Sequence, residues 1–124
     1  ILKFSKTTMT TTIYYKFKAK DKDSDEVIDY RIQDLPENLY GIALELYLKE
    51  FLPDETMLAS RGVHRNQLAV EDIANLWREV MKQRLILSCF RDNDVKNDEI
   101  VAVNILYVCS KNSEKKIDFE VRKF

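Results

Sequence analysis

The stretch from Asp34 to Gly62, DLPENLYGIALELYLKEFLPDETMLASRG, constrains this chain more than any other. Asp34 can accept a hydrogen bond from the backbone N–H of Glu37, and Glu37 can reach back, the reciprocal pattern that opens many helices. Pro36 then falls in the first turn, where its missing N–H costs nothing. Tyr40, Ala43, Leu44, Tyr47, Leu48 and Phe51 follow at helical spacing, widened by Ile42 and Leu46, with Asn38, Gly41, Glu45 and Lys49 opposite. Pro53 is expected to stop this helix, because the residue before a proline avoids the helical region. Leu52 to Met57 then forms an irregular turn. Its acids Asp54 and Glu55 stand just past a buried helix end, beside Met57 and Leu58. A carboxylate there is a candidate general base. The plainer alternative is a pair of solvated turn acids.

Bulk properties narrow the class. The chain has 124 residues, enough for one small domain or part of a larger one. Hydrophobic residues make up 45% and charged residues 33%, so the chain can bury a core. A net charge of −1 gives a nucleic-acid backbone or an anionic membrane nothing to attract it. No apolar run approaches the roughly 20 residues of a membrane helix, and the first residues lack the apolar core of a signal peptide.

The order of elements reads strand, strand, helix, helix, strand, strand. Residues 1–11 read as a tail. Thr12 to Lys20 alternates, with Ile13, Tyr15, Phe17 and Ala19 on one face and Lys16, Lys18 and Lys20 on the other, as in a half-buried strand near an edge. The acidic run Asp21 to Glu26 is a loop that offsets those lysines, which argues against a nucleic-acid patch. Val27 to Gln33 is a second strand. Past the helix, Ala59 to Arg65 reads as a loop holding Gly62 and the lone His64. Asn66 can cap a helix with a stripe of Ala69, Ile73, Leu76, Trp77 and Val80, in which Trp77 is a core anchor.

Leu85 to Phe90 is apolar enough for a strand buried on both faces. Arg91 to Asp98 is a polar turn, and Glu99 to Ser110 is the longest strand candidate. Together they form an antiparallel hairpin, with Cys89 near Val101. Cys109 then lies about 26 Å along the strand, while a disulfide needs Cα atoms within about 7 Å. Two free, mostly buried thiols suit a reducing, cytoplasmic setting. One histidine and two cysteines are too few for a zinc centre, so no metal site is expected. Lys111 to Lys116 is solvated, and Ile117, Phe119, Val121 and Phe124 begin another apolar pattern. The hairpin leaves an unfinished sheet edge, as expected of the front of a larger α/β domain.

VIDYRIQDLPENLYGIALELYLKEFLPDETMLASRG, a helix ending NLWREVMKQ, then LILSCF and EIVAVNILYV resemble the N-terminal half of the GNAT acetyltransferase fold. Within that superfamily they are similar to the insect arylalkylamine N-acetyltransferases, over about Val27 to Val108. There a strand ending like RIQDL precedes a helix that ends in a Phe-x-x-x-Glu turn, here Phe51 to Glu55. The resemblance implies an α/β (α+β) domain of order β-β-α-α-β-β and an acetyl-CoA-dependent enzyme acting on a small primary amine. It implies Glu55 as the base that deprotonates the substrate ammonium. Asp54, Thr56 and Met57 would line the amine pocket, with Phe51 and Tyr47 as its apolar wall.

Two positions depart from the pattern: Thr56 stands where the family commonly has Pro, and Ala102 where Gly is usual. The family's R/Q-x-x-G-x-G/A loop, which cradles the cofactor's pyrophosphate at a helix N-terminus, is absent from these residues. No cofactor-binding residue and no thiol-protonating group is therefore assigned, and both are expected in the remaining C-terminal half of the domain. The competing reading is a non-catalytic α+β binding or scaffold module in which Asp54 and Glu55 are ordinary turn residues.

Overall fold

The structure is a computed structural model that describes residues 11–92 and 99–111. Residues 1–10 of the tail expected at 1–11, residues 93–98 of the polar turn, residues 112–116 of the solvated run and the apolar pattern from Ile117 lie outside the described residues. The strands are β1 (Ile13–Lys20), β2 (Val27–Asp34), β3 (Ile86–Arg91) and β4 (Ala102–Ile105). The helices are α1 (Tyr40–Leu46), α2 (Leu52–Asp54), α3 (Thr56–Ser60) and α4 (Gln67–Met81). Alternating and β-branched segments form the strands and 3.6-period segments form the helices, so the mixed fold follows the expected order. The chain divides into one unit of Ile1–Leu39 with Leu87–Asn104 and another of Tyr40–Ile86 with Ile105–Phe124.

The first unit is built on the sheet, whose strand order is β1-β2-β3-β4. β1 and β2 pair antiparallel, with Phe17 opposite Tyr30 and a bulge between Ile13 and Tyr15. β2 and β3 are also antiparallel, with Ile32 opposite Cys89. Ile28, Gln33, Ser88 and Phe90 are buried, and the Ser88 hydroxyl donates to the Gln33 carbonyl at 3.1 Å. Arg31 is the polar centre of this unit. Its guanidinium lies 5.3 Å from the centroid of the Phe90 ring and donates to Gln33 Oε1 and to the Arg91 carbonyl, each at 2.7 Å. The outer lysines of β1 meet acids, Lys16 with Asp92, Lys18 with Asp29 and Lys20 with Asp25, all exposed enough to add little stability.

Several expectations need correction here. Asp34 ends β2 rather than opening a helix: its carboxylate accepts from the Tyr14 hydroxyl at 2.8 Å and the Thr12 N–H at 3.4 Å. That bond also holds the Tyr14 proton, raising the phenol above its usual range. Ile13 and Tyr15 are 48% and 63% exposed, so only Phe17 and Ala19 of the inner face of β1 are partly covered. β3 buries Ile86, Ser88 and Phe90 fully, while Leu87 and Cys89 opposite are half-covered. Burial raises the Cys89 thiol, an effect the Arg31 charge opposes. Cys109, expected to be mostly buried, is exposed; both cysteines are free.

The long last strand is shortened to Ala102–Ile105. The Val101 N–H donates to the Cys89 carbonyl, as the expected register requires, but the Leu106 N–H donates to Leu85. The pairing has slipped by one residue between these two bonds, which places an extra residue in β4. Such a bulge breaks the two-residue alternation and ends regular pairing. Beyond it, Gln83 donates to the Val108 carbonyl and accepts the Val108 N–H, each at 2.9 Å. A side-chain amide there does what a neighbouring strand's backbone would do.

A tight turn at Glu37–Leu39 ends the first span of the first unit, and in the second unit the helical segment begins with α1. Pro53 does not stop it. Leu52, the residue before the proline, keeps helical angles of φ −58° and ψ −43°. Residues Tyr47–Phe51 form a π-helical turn in which the Leu52 N–H donates to the Tyr47 carbonyl. A proline pushes against the carbonyl four residues earlier, and a wider turn relieves that crowding. The π turn also shifts the phase of the stripe. Phe51, assigned to the buried face at α-helical spacing, is 47% exposed, whereas Leu52 is 0% exposed.

Thr56–Ser60, expected as turn and loop, is helical (α3). Gly62 turns the chain at φ +66°, a conformation that costs glycine little. As expected, Asn66 caps α4, accepting the Ala69 N–H at 3.2 Å. His64 sits half-buried in the short turn Val63–Arg65. Along α4 the small residues Ala69 and Ala74 are buried together with Met81. Trp77 is half-buried rather than sealed in the core.

Candidate active site

All six candidate residues fall in the second unit, on the continuous path from the π turn through α2 to the start of α3. Glu55 is the break between the two short helices. Its N–H still donates to the Phe51 carbonyl at 2.9 Å, but its backbone is extended at φ −67° and ψ 119°. That geometry is what an N-cap needs, and the Glu55 carboxylate fills the role: Oε2 accepts the Leu58 N–H at 2.7 Å. One oxygen is thereby fixed, and Oε1 carries no hydrogen bond among the described residues. The side chain is half-buried. Asp54 and Thr56, on either side, are exposed, and Met57 is 75% exposed. An exposed thioether beside two acids is apolar surface that water covers at a cost.

Tyr47 and Phe51 stand one turn apart with ring centroids 5.3 Å apart. Trp77 of α4 completes the cluster, edge-on to Tyr47 at 5.0 Å and tilted against Phe51 at 6.0 Å. These are favourable aromatic arrangements. The Tyr47 hydroxyl accepts the Ile105 N–H at 3.2 Å. Tyr47 is thus held at both ends, whereas Phe51 presents an open ring one turn before Glu55.

The stretch carries a carboxylate held by the Leu58 N–H, an exposed acid beside it and, one turn earlier, the aromatic pair of Tyr47 and Phe51. A fixed carboxylate can accept a proton from a cation, and an exposed ring can cover an apolar body. Sequence reasoning treated Trp77 as core alone and did not foresee the Tyr47 bond to Ile105. The lone tryptophan was a visible signal. Its meeting with Tyr47 and Phe51, on another helix, depends on a helix pairing that spacing within one segment does not encode.

No protein-family model and no curated protein matches the chain. A solved structure does: a protein provisionally named arylalkylamine N-acetyltransferase 7, from the yellow fever mosquito Aedes aegypti, with 34% identity and a TM-score of 0.76. The match covers 90% of this chain and 46% of that one, so the chain spans about half the length of the structure it matches. The chain carries part of a GNAT acetyltransferase fold, similar to that of an insect arylalkylamine N-acetyltransferase.

Proposed function

We propose that this chain is the amine-side half of an acetyl-CoA-dependent N-acetyltransferase acting on a small primary amine of the arylalkylamine kind. Glu55 is its general base. The observation that carries this reading is the bond from the Leu58 N–H to Glu55 Oε2, which fixes the carboxylate and leaves Oε1 for a substrate proton. An ammonium has no lone pair. Its proton passes to Glu55, directly or through one water, and the freed nitrogen pair becomes the nucleophile. Asp54 adds negative charge near the cation, while Thr56, Met57, Phe51 and Tyr47 shape the pocket.

Acetyl-CoA supplies the acyl group as a thioester. Its phosphates need successive backbone N–H groups at a helix start, with glycines where the chain passes closely. Gly41 lies within α1, and Gly62 precedes only the three-residue turn Val63–Arg65. The described residues do not fit that end of the co-substrate, so we assign its binding, and protonation of the leaving thiol, to the remaining half of the domain. No described helix is long and apolar enough to cross a membrane. We place the protein in the cytoplasm, where free thiols such as Cys89 and Cys109 persist.

Glu55→Gln in the full-length protein tests the assignment. Glutamine keeps an oxygen for the Leu58 N–H but loses the basic site. We expect kcat/KM to fall about 10²- to 10⁴-fold at pH 7, the usual worth of a positioned base. The deficit shrinks as pH rises, because more amine then arrives unprotonated. Wild-type kcat/KM in Glu55→Gln at pH 7 rejects Glu55 as the base.

A further inference from the structure

The stretch that carries Glu55 has little internal support. α2 has 3 residues and α3 has 5, and helices of that length draw their stability from packing. Residues 47–55 are held from outside in two ways. Leu52 is fully buried, and the Tyr47 side chain reaches a segment 58 residues away, where its hydroxyl accepts the Ile105 N–H at 3.2 Å and its ring meets Trp77 on the way. Among the described residues that is the one side-chain hydrogen bond joining this stretch to a distant segment. The far end of the bond is itself firm. The Leu106 N–H donates to the Leu85 carbonyl at 2.8 Å, and the Gln83 amide clamps both the N–H and the carbonyl of Val108 at 2.9 Å.

Tyr47 is also the residue at which the π turn starts. Its carbonyl accepts the Leu52 N–H, its ring lies 5.3 Å from that of Phe51, and the Phe51 carbonyl accepts the Glu55 N–H at 2.9 Å. Ring pairs remain favourable over about 4.5–7 Å, whereas an N–H···O bond holds its atoms to about 2.7–3.2 Å. The hydroxyl therefore sets a position that the rings only favour. Resting on the reading of Glu55 as the base, we propose that Tyr47 is a positioning residue for it: the hydroxyl ties the turn to residues 105–108 and so fixes where the Glu55 carboxylate stands.

Tyr47→Phe in the full-length protein keeps the ring and removes the tie. With phenylethylamine as substrate, kcat is expected to fall about three- to tenfold, the worth of one hydrogen bond, with the amine KM within about twofold. In a Glu55→Gln background the same change should cost less than about twofold, because two residues that act through one group are not additive. Amide exchange at Leu58, whose N–H the Glu55 carboxylate holds, reads the tie without turnover and should quicken about three- to tenfold in Tyr47→Phe. An unchanged kcat or an unchanged Leu58 exchange rate in Tyr47→Phe overturns the proposal. The two readings fail separately. Wild-type activity in Glu55→Gln rejects the base, and the proposal with it. An impaired Glu55→Gln protein in which Tyr47→Phe takes its full loss again keeps the base, marks the hydroxyl as a general support of the fold and rejects the positioning role alone.

Discussion

Two N-caps lie eleven residues apart in this chain, Glu55 at α3 and Asn66 at α4, and they are used differently. Each side chain accepts the N–H three residues on, at 2.7 Å for Glu55 and 3.2 Å for Asn66. Asn66 is among the best residues for this position, and it opens a helix of 15 residues. Glutamate is outside the favoured set, and α3 has only 5 residues. A helix that short gains little from a cap, since its stability comes from packing rather than propagation. The cap at Asn66 serves the helix. The cap at Glu55 orients the carboxylate.

The largest effect that can break this comparison comes from making Glu55 resemble Asn66. Glu55→Asn should cap α3 at least as well, changing the unfolding free energy by no more than a few tenths of a kcal/mol. Activity of the full-length protein should nevertheless fall about 10²- to 10⁴-fold, because the basic oxygen is gone. Steady-state kinetics beside a urea titration reads both quantities. Retained activity would make the two caps equivalent.

Next in size is Leu52→Ala. Leu52 is fully buried in α2, three residues before Glu55. A loss of about 2–5 kcal/mol is expected, the range for a large aliphatic truncated in a core. A small shift in the urea midpoint would mean that packing does not hold the Glu55 turn and that the cap does. Asn66→Ala should cost about 1 kcal/mol through the start of α4 and leave the pH dependence of activity unchanged. The smallest effect is the stability cost of Glu55→Ala, expected below about 0.5 kcal/mol because α3 is short. A larger cost than that of Asn66→Ala, measured by thermal unfolding, reverses the comparison.

The strands and helices were legible because period-two and period-3.6 patterns record which face is covered. β2, the cap at Asn66 and the pairing of Val101 with Cys89 all follow from local pattern and register. The errors fall where a tertiary partner overrides the local rule. Asp34 is a good cap by type, but Tyr14 and Thr12 on the neighbouring strand take its carboxylate. Pro53 is a helix stop by type, but the π turn before it makes room. The alternation from Val101 to Cys109 predicts one straight strand, but a bulge and the Gln83 amide interrupt it. The contact of Tyr47 with Phe51 and the neighbourhood of the candidates Asp54, Glu55, Thr56 and Met57 were legible because these residues are near one another in sequence. Trp77 was not, because its neighbours lie some thirty residues away along the chain.

The π turn at Tyr47–Phe51 gives this segment one residue to spare. The Leu52 N–H reaches the Tyr47 carbonyl across five residues, so removing one of those between them lets the same two groups close an ordinary α-helical turn. Tyr47 would keep its hold on Ile105 and Leu52 its place in the interior. A codon deleted at Lys49 or Glu50, both exposed, should therefore straighten the helix and leave its two ends in phase, where the same deletion inside α4 would swing everything after it by about 100°.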